Sequence, residues 1–218
     1  MPVSRTEFSP RVHGFHFGNA FRFSFEFSLP FFGSVDLGWI VYGLCGGMCF
    51  AALDYLLAGR PMPTRTSVPA RGSALHTYLW ERQLDSFSGP VVPLKAIEWM
   101  LRTNDDVERL TARKEFPKLR TTIDQGTPTV LCLIRARGLV DPTQNHQVLA
   151  TGYRLDTATG QVTIHVYDPS HPGQEPTLSM NLSDPERGIG LAQSTGEPLR
   201  GFFVAKYRAQ SGGLPEEE

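Results

Sequence analysis

Three side chains in this sequence are of the right types, and suitably spaced, to perform acyl transfer: Cys45, His146 and Asp168. A thiol reacts as its thiolate, and a helix N-terminus favours that form through unpaired amides and the axial dipole. Cys45 heads CGGMCFAALDYLLA, residues 45–58, in which Met48, Ala51, Ala52 and Tyr55 recur at three- and four-residue spacing and predict a helix. Gly46 and Gly47 would let backbone amides come close to a developing oxyanion. The base must come from elsewhere in the chain. His146 opens the strand pattern HQVLATGY, and Asp168 closes VTIHVYDP, where Pro169 prevents simple continuation. A hairpin joining these strands makes His146 and Asp168 neighbours, as a base and its orienting carboxylate must be.

The remaining thiols and imidazoles read differently. Cys49 and Cys132 lie within apolar periodic segments and are expected in the core. His165 shares a strand face with Thr163 and Tyr167 and reads as structural, and His171 reads as a loop residue. Zinc held by Cys45, Cys49 and a histidine falls short, because structural zinc takes four ligands and usually paired Cys-x-x-Cys spacing. There is no Walker loop and no GxGxxG turn, so neither a metal nor another cofactor is expected.

Positioning these groups requires helices first and a sheet afterwards. Further helices are predicted over 73–84, capped by Ser73, over 92–102 with Pro93 in the first turn, over 105–113, and over 117–125 with Gly126 as the stop. Strand patterns follow over 129–134, 146–155, 162–167 and 201–207, and the loop Asp156–Gly160 joins the second to the third. Phenylalanines alternate through VHGFHFGNAFRFSFEF, residues 12–27, which predicts an aromatic β-hairpin turning at Gly18-Asn19. Helices followed by strands argue for an α+β fold. The reading is one domain over 1–208 with two lobes, the helical lobe packed on an antiparallel sheet, and a mobile acidic tail over 209–218. The Pro-, Gly-, Ser- and Thr-rich stretches 60–72 and 173–200 read as loops.

Composition narrows the partners. Lys and Arg number 21 against 22 Asp and Glu, so the net field cannot concentrate a polyanion, and nucleic acid is not expected as a partner. Three cysteines cannot build a disulfide framework, which fits a reducing compartment. The N-terminus carries charges and prolines where a secretory signal needs an apolar run, so a cytoplasmic location is expected. Residues 37–53 are uncharged but contain four glycines, and they read as a buried loop and helix, not a membrane span.

The segments GLCGGMCFAALDY, LRTTIDQGTPTVLCLI, NHQVLATGYRLD and VTIHVYDP occur in the order found in papain-like cysteine peptidases, and most resemble the branch that processes bacteriocin leaders. Cys45-Gly46, Gly126-Thr127-Pro128, His146 and Asp168-Pro169 match that pattern over about residues 36–170. The resemblance implies a papain-like fold and a hydrolase that cleaves a peptide or other amide through a thioester, with Cys45, His146 and Asp168 as its triad. It also implies a glutamine about six residues before the nucleophile to complete the oxyanion hole. Trp39 occupies that place, and Asn19, Tyr42 or a backbone amide such as that of Gly46 are the substitutes. The alternatives are a binding module that kept the fold and lost the chemistry, a thiol acyltransferase, and a membrane-active or self-assembling protein using the phenylalanine strip.

Overall fold

The structure, a computed structural model, describes residues 3–21, 27–29, 33–35, 43–139, 141–210 and 212–216. It is α+β. A short strand β1 (Val3–Arg5) and a single helical turn α1 (Pro10–His13) precede a two-stranded ribbon of β2 (Phe27–Leu29) and β3 (Gly33–Val35). Helices α2 (Cys45–Leu57), α3 (Ala74–Ser86), α4 (Val91–Leu101), α5 (Asn104–Leu110) and α6 (Phe116–Asp124) follow, with a π-helical turn between the last two. The sheet is built from β4 (Thr129–Ile134), β5 (His146–Leu155), β6 (Gln161–Tyr167), β7 (Thr177–Asn181), β8 (Ala192–Gln193) and β9 (Gly201–Val204). Its order is β8-β7-β6-β5-β4-β9, antiparallel throughout, and β1 pairs with the second half of β5.

α2 is the organising helix. Every residue from Cys45 to Tyr55 is buried, as expected of a helix that is apolar all round. Its single charged residue, Asp54, is matched completely: the carboxylate accepts from Tyr78 Oη at 2.9 Å, Arg82 Nε at 2.7 Å, Tyr207 Oη at 2.6 Å and the backbone amide of Gln210 at 3.0 Å. The Arg82 guanidinium also lies 5.0 Å from the centre of the Phe50 ring, a cation–π contact in a dry setting. This one carboxylate ties α2 to α3 and to the chain end.

Local signals explain the other helices. The Ser73 side chain accepts from the amide of His76 at the head of α3, and Thr103 from that of Asp106 at the head of α5, where Asp105 and Asp106 also complement the dipole. The outer edge of β9 is closed by side chains from the π turn: Phe202 N donates to Thr111 Oγ1 at 3.2 Å and Val204 N to Glu115 Oε2 at 3.0 Å. A strand edge covered in this way cannot recruit another chain.

Two expectations are corrected. Residues 14–21 form no strand, so no hairpin turns at Gly18-Asn19; Phe15, Phe17 and Phe21 instead wedge into the core beside α2, Phe15 edge-on to Tyr55 at 6.3 Å. The alternation correctly marked buried rings, but they fill a cavity between elements without a ladder; residues 22–26 lie outside the described set. The stretch 173–200 contains β7 and β8. Within the segment 209–218, Pro215 O accepts from Tyr55 Oη of α2 at 2.7 Å. Among the described residues no helix is long and apolar enough to cross a membrane.

Removing one partner of a buried ion pair leaves the other charge unmatched. Asp54→Asn is therefore expected to lower the unfolding free energy by about 3 kcal/mol or more in urea titrations; a loss below about 1 kcal/mol would show that the clamp is not structural.

Candidate active site

The site forms where the head of α2 meets the β5–β6 hairpin. Cys45 is the first residue of α2, and its sulfur accepts the backbone amide of Gln147 at 3.4 Å. One turn later the Cys49 thiol donates to the carbonyl of Gln147 at 3.7 Å, so the two sulfurs of α2 hold the amide and the carbonyl of one residue of β5. This docking needs very small residues on α2. A Cβ on Gly46 would lie 2.3 Å from Ser86 Oγ and 2.5 Å from Gln147 Oε1, and one on Gly47 would lie 2.1 Å from the Leu79 carbonyl. The two glycines, expected to open the backbone to an oxyanion, serve first to let α3 and β5 approach. Gly47 N is already taken by Gln83 Oε1 at 2.8 Å, which leaves Cys45 and Gly46 as the first-turn amides with no partner inside the helix.

His146 and Asp168 come together through strand register. Tyr167 pairs with Leu149, so the residue after β6 lies beside the start of β5. His146 Nε2 is 2.6 Å from Asp168 Oδ1, and Asp168 is 0% exposed. The ring's other nitrogen, Nδ1, is then the one left for the sulfur. Asp168 is held by an Asp-Pro-Ser turn in which Ser170 N donates to Oδ1 at 2.8 Å, and its other oxygen receives Gln193 Nε2 at 3.3 Å. Just before β5, Asn145 Oδ1 accepts the amides of Arg135 at 2.9 Å and Ala136 at 3.1 Å, fixing the approach of the chain to His146.

Charge is concentrated here. Burial works against a charged ring at His146, but the Asp168 carboxylate and the Cys45 sulfur outweigh it and push the ring up to about 10. Burial likewise opposes charge on Asp168, yet the charge of His146 and its hydrogen bond, with the Ser170 amide, hold the carboxyl below its ordinary value. Burial drives Cys49 and Cys132 far up, so both remain neutral thiols of the core.

Of the oxyanion candidates, Trp39 and Tyr42 lie outside the described residues. Asn19 donates its backbone amide to Pro169 O at 2.9 Å, and its side chain fills the space where a Cβ on Gly43 would be, two residues before the nucleophile. Its Oδ1 is buried without a partner among the described residues. His165 stands apart from the site beside Glu175 at 3.3 Å, and His171 pairs with Glu197 at 3.2 Å. Beside His146 lies a small pocket of about 20 Å³, walled by Phe87, Val92, Ala96, Cys132 and Ile134. Gln147, Gln193 and Asn145 were not singled out from the sequence; the first acts through its backbone, and the other two through contacts between distant segments.

No family model matches the chain, and neither a curated protein nor a solved structure matches it.

The two shifts set a pH window. A protonated His146 stabilises the fold fully below its ordinary value of 6.5, and that contribution is lost as pH rises toward 10. Ionised Asp168 stabilises above its ordinary value of 3.8 and loses that contribution on acidification. The stability gap between the wild type and Asp168→Asn, measured by urea unfolding, should be widest near pH 5–6 and narrow steadily to about pH 10. A gap independent of pH would show that the two groups are not an ion pair.

Proposed function

We propose that this chain is a papain-like thiol hydrolase that cleaves a peptide or other amide bond through a thioester on Cys45. The sulfur attacks the carbonyl carbon, and the tetrahedral oxyanion is received by the amides of Cys45 and Gly46 together with the Asn19 side chain. His146, which keeps its proton at neutral pH, gives it to the departing amine; it then takes a proton from the water that attacks the thioester. Asp168 fixes the ring so that Nδ1 faces the sulfur. An amine in place of water would turn the same site into an acyltransferase.

The observation that carries this reading is the buried 2.6 Å contact between His146 and Asp168, on the same peptide segment whose next amide touches Cys45 Sγ. The Asp168 carboxylate and the Cys45 sulfur favour the charged ring at His146, the form a thiolate–imidazolium site requires. The apolar pocket beside the ring has room for about one water, and its low polarity strengthens the electrostatics of the site.

The test is the rate at which iodoacetamide modifies Cys45, followed by peptide-resolved mass spectrometry across pH 4–10. At pH 6 the wild type should react at least about tenfold faster than His146→Ala, because only the wild type has an imidazolium to hold the thiolate. If the two proteins react at the same rate and both follow an isolated thiol near pH 8.5, the proposal fails.

A further inference from the structure

Asp168 is useful to His146 only if its carboxylate cannot rotate. One oxygen is occupied by His146 and Ser170, whereas the other, Oδ2, is reached among the described residues by Gln193 alone, at 3.3 Å. Gln193 belongs to β8, a strand of two residues joined to the sheet only through β7, and it is 6% exposed while its neighbour Ala192 faces solvent. The single side chain that this small strand buries is therefore the one that meets the carboxylate.

The orientation of the Gln193 amide is fixed by chemistry. Its Oε1 lies 2.9 Å from Arg135 Nη2, and a guanidinium can only donate. The carbonyl must face Arg135, so the amide NH₂ must face Asp168. Arg135 is itself placed by the end of β4, where its backbone amide donates to Asn145. Five separate segments of the chain thus form one line of donors and acceptors running from Arg135 through Gln193, Asp168 and His146 to Cys45.

Resting on the reading of Cys45, His146 and Asp168 as an acyl-transfer site, we propose that Gln193 and Arg135 are positioning residues that lock the Asp168 carboxylate in line with His146. Neither touches the reacting atoms. Without the Gln193 donor, Oδ2 is buried and unpaired, so the carboxylate either turns away from the ring or takes up a proton. Both changes weaken the imidazolium. Other ionisable groups around Asp168 leave this logic intact: Tyr167 and Cys49 are held neutral by burial, and His171 on the same turn is paired with Glu197.

The experiment follows the His146 ring by NMR as pH is raised in the wild type, Gln193→Met, Arg135→Met and Arg135→Lys, with circular dichroism to confirm folding. Gln193→Met and Arg135→Met should each lower the His146 titration midpoint by about one pH unit, equivalent to a tenfold loss of the protonated ring, and Arg135→Lys should restore most of it. The direction matters, because loss of the Arg135 cation acting merely through space would raise the midpoint. Folded Gln193→Met or Arg135→Met protein with a midpoint unchanged or raised overturns the inference while leaving the triad standing. A wild-type ring titrating near 6.5 overturns both.

Discussion

A helix buried on all sides has no free face along which to slide, and the position of every reactive group follows from how α2 is held. At one end, Asp54 gathers Tyr78, Arg82, Tyr207 and the amide of Gln210 into one buried cluster. At the other, Gly46 and Gly47 allow α3 and β5 to close on the helix, and the two sulfurs contact the amide and the carbonyl of one β5 residue, Gln147. The polar clamp sets the depth of the helix, and the glycines set its distance from the sheet. Cys45 is left with one direction in which to face, toward the strand that begins with His146.

From that constraint the electrostatics follow. Asp168 is fully buried, and a lone carboxylate there would be costly. The cost is met by the imidazolium, by a backbone amide and by Gln193, so the charge is stable only as part of the assembled site. The site and the fold are therefore coupled: the same groups that would make the thiol reactive also keep a buried charge satisfied.

Much of this was legible in the sequence, and what was not has physical reasons. β4 and β5 have the bounds expected of them, and in β4 burial of every residue writes a nearly unbroken apolar run. Helices α2 to α6 fall within a few residues of their predicted places, each marked by a cap, a proline or a stop glycine. His146 and Asp168 could be grouped because hairpin register is a local property, whereas Cys45 was joined to them through the order of motifs that resembles papain-like peptidases; the structure brings His146 to Asp168 and the next residue to Cys45. Gln193 could not be found, since nothing in AQST announces that a two-residue strand will bury one glutamine against a residue 25 positions away. The phenylalanines misled for a related reason: an extended segment buries alternate residues whether or not a neighbouring strand completes a ladder.

The central claim is that Cys45 forms and then releases an acyl group with the help of His146 and Asp168. Intact-mass spectrometry of the whole chain after mixing with p-nitrophenyl acetate tests it most directly. An acetyl adduct confined to Cys45 that forms and decays in the wild type, forms much more slowly in Asp168→Ala and is absent in Cys45→Ala is the result expected. If no adduct forms on Cys45, or if it forms equally fast without Asp168, the account is contradicted.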